Sequence, residues 1–249
     1  TQSGFIRGDG PPALVFRHHS ALDEADLRLR RAFGERHDAQ IFLQPGSVQT
    51  VHPIRADYPP LVFELAASGI LFQFKPLDFI QVNAAMNEVM IERTLHLLEP
   101  KPADVVLDLF CGLGNFTLPL AKRVGEAVGV EGDQGLVDSA KENAQRNGIA
   151  NAVFFAADLS QDISAQLWKT QRFNKILLDP PRAGALDVLK QLNLKGVERI
   201  VYVSCHPASL ARDAAYLVQE RGYRLSQAGA MDMFPQTAHV ESIAVFETV

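Results

Sequence analysis

The sequence predicts an α/β, Rossmann-like domain with a mostly parallel sheet, preceded by a small α+β piece. Three observations carry that prediction. From Asn83 onward, apolar runs of strand length alternate with stretches of helical periodicity, the pattern of repeated strand–helix–strand units. The run VVLDLF (105–110) opens directly into the glycine turn CGLG (111–114), as the first strand of a doubly wound sheet does. Residues 13 to 75 instead string several strand-like runs around one charged, helix-like segment.

In chain order, 1–10 is polar and glycine-containing and leads into a first strand-like run at 13–16, followed by others at 39–43, 61–65 and 70–74. A charged helix is expected over 23–36, and Ser68-Gly69 reads as a hairpin turn between the last two runs. A helix then begins near Asn83, with Met86, Met90 and Leu97 on one apolar face, and Pro100 and Pro102 stop it. Strands are predicted over 105–110, 127–131, 153–156, 175–179, 199–204 and 242–246, with a helix over 207–220. The domain boundary falls between residues 75 and 76.

The bulk properties narrow the function classes. A chain of 249 residues with 47% apolar content can bury a sizeable core. No apolar run has the roughly 18 residues that a membrane helix needs, so no membrane partner is expected and the cytoplasm is the expected location. Two cysteines make neither a disulfide framework nor a thiolate metal site, and no metal is expected. The net charge of -5 speaks against a phosphate-tracking surface on this stretch of chain.

Four constellations carry chemistry. In the glycine turn, Gly112 and Gly114 let backbone approach a ligand, and Glu131, at the end of the next strand, is placed to accept from ribose hydroxyls. A dinucleotide site is the rival reading, but Thr117 stands where G-x-G-x-x-G requires its third glycine. Asp108 would also repel a pyrophosphate, whereas it suits a ligand bearing an ammonium and a sulfonium, such as S-adenosylmethionine. Asp158, after the third strand, either meets an adenine amino group or caps a following helix.

The second is LLDPPRAG (177–184), which places Asp179 at the carboxyl edge of the sheet, where open α/β sheets bind ligands. Arg182, rather than an aromatic, follows the prolines, which favours a phosphate or carbonyl contact over amino-group methylation; a simple turn cap is the alternative for Asp179. The third is VSCHPASLARD (203–213), with Cys205 between a strand and a helix whose N-terminal field favours a thiolate. His206 either adds positive charge or shapes the loop, and a packing role for the thiol stays open, as it does for Cys111. The fourth is DMFPQTAHVES (232–242), where Glu241 enters an apolar strand as either a proton acceptor of raised pKa or a charge that blunts a sheet edge.

Together FIQVN (79–83), DLFCGLGNFTLPLA (108–121), VGVEG (128–132), LLDPPRAG, VSCHPASLARD and DMFPQTAHVES resemble the RNA 5-methyluridine methyltransferases, most nearly those acting on 23S ribosomal RNA. The resemblance implies a class I S-adenosylmethionine-dependent methyltransferase fold and activity, with RNA as partner and transfer RNA or an amino group as alternative targets. It implies that Gln81, Phe110, Asn115, Glu131, Asp158 and Asp179 hold S-adenosylmethionine, that Cys205 is the nucleophile and that Glu241 removes the C5 proton. Phe79, Arg182, His206 and Phe234 are expected near the uridine, although His206 departs from the usual Ser-Cys-Asn-Pro. The family's N-terminal RNA-binding barrel and iron–sulfur cysteines have no counterpart in this sequence, so 1–75 is expected to be a remnant of a central domain and no cluster is expected. A monomer is the expected state.

Overall fold

The computed structural model describes residues 2–237 and 239–249; Thr1 and Ala238, the latter inside the 232–242 motif, lie outside the described residues. The chain divides into two compact units, Thr1–Val82 and Asn83–Val249.

In the first unit, β1 (Gln2–Ile6), β2 (Ala13–Arg17), β3 (Gln40–Gln44) and the two-residue β4 (His52–Pro53) form a sheet in that order. The stretch expected to be a mere lead-in is thus a strand, because its backbone pairs antiparallel with β2 whatever its side chains. Helix α1 (Glu24–Arg36) connects β2 to the parallel β3, and Asp23 caps it by accepting from Asp26 N at 2.8 Å. β5 (Leu61–Leu65) and β6 (Ile70–Phe74) make the expected hairpin, with Phe63 and Phe72 stacked at 4.9 Å.

The second unit begins with α2 (Ala84–Leu98), capped by Asn83, whose side-chain oxygen accepts from Met86 N at 3.2 Å. β7 (Val105–Leu109), the five-residue α3 (Thr117–Ala121), β8 (Glu126–Glu131), α4 (Gln134–Arg146) and β9 (Ala152–Ala156) follow. Then come β10 (Lys175–Leu178), α5 (Leu186–Gln191), β11 (Arg199–Ser204), α6 (Pro207–Glu220), β12 (Tyr223–Met231) and β13 (Glu241–Thr248). The sheet order is β12-β13-β11-β10-β7-β8-β9. The five strands from β11 to β9 are parallel, and only β13 runs against them, between β11 and β12.

Period-two alternation builds the core. Leu107, Leu109, Val128, Val130, Ile176, Leu178 and Ile200 pack with Trp168, Leu189 and Leu217 from the covering segments. β12 was absent from the sequence expectation: YRLSQAGAM is poor in β-branched residues and mostly exposed, as an edge strand can be. Among the described residues no helix is long and apolar enough to cross a membrane.

At the amino end of β10, Lys175 is buried and reaches Asp104 at 2.8 Å, with side chains only 2% and 8% exposed. Lys175 also donates to the Glu99 carbonyl, the residue that ends α2 in a left-handed turn. A buried ammonium that loses its carboxylate is costly. Asp104→Ala should therefore destabilise the chain by about 3 kcal/mol, read from the urea midpoint at unchanged slope; a shift within experimental error would show that Lys175 is satisfied without it.

Candidate active site

The carboxyl ends of β11, β10, β7 and β8 lie side by side, since the register pairs Leu178 with both Tyr202 and Leu109, and Leu109 with Val130. Chain order reverses between β7 and β10, the place where doubly wound sheets open a crevice. Cys205, Asp179, Phe110 and Glu131 follow or end these four strands.

The glycine turn after β7 is built by unusual backbone. Phe110, half-buried, has φ +66°, a conformation that bulky side chains rarely adopt, and its N–H donates to the Val130 carbonyl at 2.8 Å. Gly112 has φ +54° with open space where a Cβ would be, and Gly114 has φ +86°. Glu131 accepts from the backbone N–H of Gly112 (3.1 Å), Gly132 (2.7 Å) and Asp133 (3.1 Å), which ties turn and acid into one unit. Asn115 exchanges two hydrogen bonds with Asn87 of α2, at 2.9 and 3.1 Å. Cys111 is buried, its thiol 3.9 Å from the Gly112 carbonyl, and burial beside Asp108 and Glu131 pushes it well up.

Asp108 is fully buried. The Thr117 hydroxyl donates to its Oδ2 at 2.5 Å, while Oδ1 has no partner among the described residues. Burial, helped by the charge of Glu131, pushes its pKa up to about 7 against the pull of Thr117. Asp179 is pushed up to about 8 by burial and by the charges of Glu241 and Asp108. A buried acid with an unmet lone pair, an open glycine turn and a second crowded acid fit a ligand that carries positive charge and hydroxyls, which is the chemistry of S-adenosylmethionine.

Ser204 of β11 pairs with Ser242 of β13, so the next antiparallel step sets Cys205 beside Glu241. Glu241 is 5% exposed, and burial raises its pKa. It belongs to an inner strand, so the reading as an edge charge is overturned. The expectation of a favoured thiolate is also corrected: burial, then the charges of Glu241 and Asp179, raise the Cys205 pKa, and Arg182 and a backbone hydrogen bond oppose them only in part. His206 caps α6, its Nδ1 accepting from Ser209 N at 3.3 Å. An imidazole nitrogen thus does the capping that a side-chain oxygen more commonly does.

The remaining predicted residues sit as follows. Asp158 is exposed and accepts from Ser160 N (2.9 Å) and Oγ (2.6 Å), so it caps a turn and no helix. Arg182 is exposed on the loop after β10, and Phe234 is half-buried with its ring edge-on to His239. Phe79 and Gln81 belong to the first unit; Phe79 is 74% exposed, and Gln81 Oε1 is buried without a hydrogen-bond partner among the described residues. Sequence reasoning missed Asn83 and Asn87. Asn83 Nδ2 donates to the Met233 carbonyl at 3.1 Å, 150 residues away, and polar residues one helical turn apart at the start of α2 were the available signal. Among the described residues no cluster of His, Cys, Asp and Glu is placed to hold a metal ion.

The model of the family described as tRNA (Uracil-5-)-methyltransferase matches residues 19–249. The chain is 61% identical over 246 residues to the 23S rRNA (uracil(1939)-C(5))-methyltransferase RlmD of Xanthomonas campestris pv. campestris (strain 8004), covering 99% of this chain and 55% of that protein. The RlmD of Stenotrophomonas maltophilia (strain R551-3) matches with the same identity and coverage. The chain thus spans about half the length of the curated relatives it matches. Among solved structures, the Pyrococcus abyssi tRNA (uracil-54, C5)-methyltransferase in complex with S-adenosyl-L-homocysteine superposes with TM-score 0.75 at 25% identity, over 97% of this chain and 58% of that one. M. jannaschii TYW2 in complex with AdoMet shares the fold, with TM-score 0.61 at 16% identity over 100% of both chains.

The crowded acids set a pH dependence. Asp108 and Asp179 rise from an ordinary 3.8 to about 7 and about 8, so the folded chain holds their protons more tightly than the unfolded one. The stability they contribute is complete below the unfolded value and is lost as pH rises through about 7 to 8. Denaturation midpoints should fall as pH rises from the unfolded value of 3.8 and level off above about 8, and Asp108→Asn or Asp179→Asn should each flatten the fall; a midpoint that climbs from about pH 5 to 8 would contradict the assignment.

Proposed function

From the premise that the chain belongs to the tRNA (uracil-5-)-methyltransferase family, we propose that its 76–249 catalytic domain transfers a methyl group from S-adenosylmethionine to C5 of a uridine in RNA, with 23S ribosomal RNA as the substrate. The observation that supports this most directly is the placement of Cys205 beside Glu241 on adjacent antiparallel strands, at the sheet edge that also carries the glycine turn.

C5 of uracil is a weak nucleophile. Cys205, as thiolate, adds to C6, and the electron pair displaced from the C5–C6 bond makes the ring an enolate whose C5 can accept a methyl group. S-adenosylmethionine supplies, when bound, a methyl group on a positively charged sulfur, which departs as a neutral thioether. Glu241 then takes the C5 proton, the C5–C6 double bond re-forms, and the Cys205–C6 bond breaks to release the thiolate. Burial holds Glu241 up in pKa, which suits a carboxylate that must accept a proton from carbon.

Burial first, and then the charges of Glu241 and Asp179 where these are ionised, raise the Cys205 pKa. A positive charge seated at the same edge favours the thiolate, so we place its formation after the methyl donor is seated. Asp108, Phe110, Gly112, Gly114, Asn115, Glu131 and Asp179 line the proposed donor site, with Gln81 and Asp158 assigned to it on the resemblance alone. Phe79, Arg182, His206 and Phe234 are assigned to the uridine side, with the base turned out of its stack so that both faces are reached.

Intact mass after incubation with S-adenosylmethionine and 5-fluorouridine-containing 23S RNA should show a protein–RNA adduct, absent in Cys205→Ala, because fluorine cannot leave C5 as a proton does. With ordinary RNA, Glu241→Gln should accumulate the methylated adduct and lose turnover by ~10³-fold or more. Methylation that survives Cys205→Ala would move the target to an amino group. Adduct formation with transfer RNA alone would change the substrate and keep the chemistry.

A further inference from the structure

The loop that carries Asp179 and Arg182 is fastened to the helix that follows Cys205 by residues with no part in the chemistry above. Asp213 of α6 is fully buried. Its Oδ2 accepts from Tyr202 Oη of β11 and from Ala185 N, each at 2.7 Å, and its Oδ1 accepts from Arg212 Nε at 2.8 Å. Arg212 also spans outward, Nη2 donating to the Ala183 carbonyl at 2.8 Å and lying 2.7 Å from Asp213 Oδ1. Gly184, between the two fastened residues, has φ +83°, and a Cβ there would lie 2.6 Å from both Arg212 Nη2 and Asp213 Oδ2. Any other residue at 184 would strain this backbone and force the clasping side chains of Arg212 and Asp213 to shift.

At its other end the same loop is tied to β7, Asp179 N donating to the Leu109 carbonyl at 3.3 Å, and Gly184 N closes a turn onto the Pro181 carbonyl at 2.8 Å. Arg182 therefore sits at the tip of a short, doubly anchored, proline-stiffened turn. A guanidinium presents its donors in a fixed planar fork, so Arg212 meets the carboxylate through Nε and the Ala183 carbonyl through Nη2, whereas a lysine would have to reach both acceptors from one atom on a flexible stem.

We propose that Arg212 and Asp213 are positioning residues that clasp Ala183–Ala185 to α6 and so hold Arg182 at the sheet edge that carries Cys205. The inference rests on the reading of Cys205 as the nucleophile. The charged groups that face this thiol are Glu241 from β13, and Asp179 and Arg182 from the clasped loop, with His206 next to it at the start of α6. Arg182 is the charged member that favours the thiolate, and its side chain is exposed, so its position follows the backbone beneath it.

Two residues that act through one another give non-additive effects, whereas a residue needed only for folding does not. The test is the rate of Cys205 alkylation by iodoacetamide across pH, without RNA or methyl donor, with Cys205→Ala as the blank. Arg182→Ala and Arg212→Ala should each slow alkylation about threefold at a pH below the thiol's pKa, a shift of about half a pH unit. The double variant should be no slower than either. Arg212→Lys should fall between wild type and Arg212→Ala. Asp213→Asn removes a buried acceptor and is expected to unfold readily, so the Arg212 variants carry the test; their side chain is 49% exposed and leaves the Tyr202 and Ala185 bonds to Asp213 intact.

Slowing that multiplies to about ninefold in the double variant, or a rate indifferent to Arg182, overturns the inference. Capture of 5-fluorouridine RNA is measured beside it. Non-additive alkylation without RNA capture retires the uridine reading and keeps the clasp, and RNA capture with multiplicative alkylation does the reverse.

Discussion

Everything at the site depends on one reversed strand. Parallel strands bring their last residues to the carboxyl edge of a sheet, so a sixth parallel strand next to β11 would have brought its final residue there. Because β13 runs antiparallel, its first residue arrives instead, and that residue is Glu241. The ladder of β11 with β13 fixes the acid against Cys205 through backbone hydrogen bonds, which do not depend on side-chain rotamers. Carried by a loop alone, the same carboxylate would reach this position only at an added cost in conformational entropy.

The same edge gathers several acids with few compensating charges. Asp108, Asp179 and Glu241 all hold their protons more tightly than free carboxylates, and burial is the first cause each time. A chain that keeps such groups in its interior gives up stability at neutral pH, and it is rewarded when a cation neutralises them. Electrostatic strain in the free protein and affinity for a positively charged ligand are two aspects of one arrangement. The positive φ of Phe110 is of the same kind, local strain held by surrounding structure.

Much of this was legible in the sequence, and for identifiable reasons. Helix α6 was readable to the residue because Pro207 opens it and its apolar face repeats regularly. The central strands were readable because strands buried on both faces must be continuously apolar. β12 escaped for the opposite reason: at the edge of the sheet, YRLSQAGAM needs only backbone to pair, and its side chains carry little pattern. Local charge also misled. The helix N-terminus at Cys205 is visible in sequence, but burial, Glu241 of β13 and Asp179 in the loop after β10 all push the same thiol the other way, burial most. The links from Asn83 to Met233, Asn87 to Asn115 and Asp213 to Ala185 join residues between 28 and 150 positions apart, where no local rule reaches.

The placement of β13 between two strands that precede it in the chain also sets an order of assembly. β12 precedes β13 in the chain but pairs with it and not with β11, so it joins the sheet only through β13. The β11–β13 pairing reaches across α6 and β12, and such non-local pairing is the slow kind. Without β13 in place there is no Glu241 beside Cys205. The juxtaposition that brings this thiol and that acid together at this edge therefore depends on the strand that comes last in chain order.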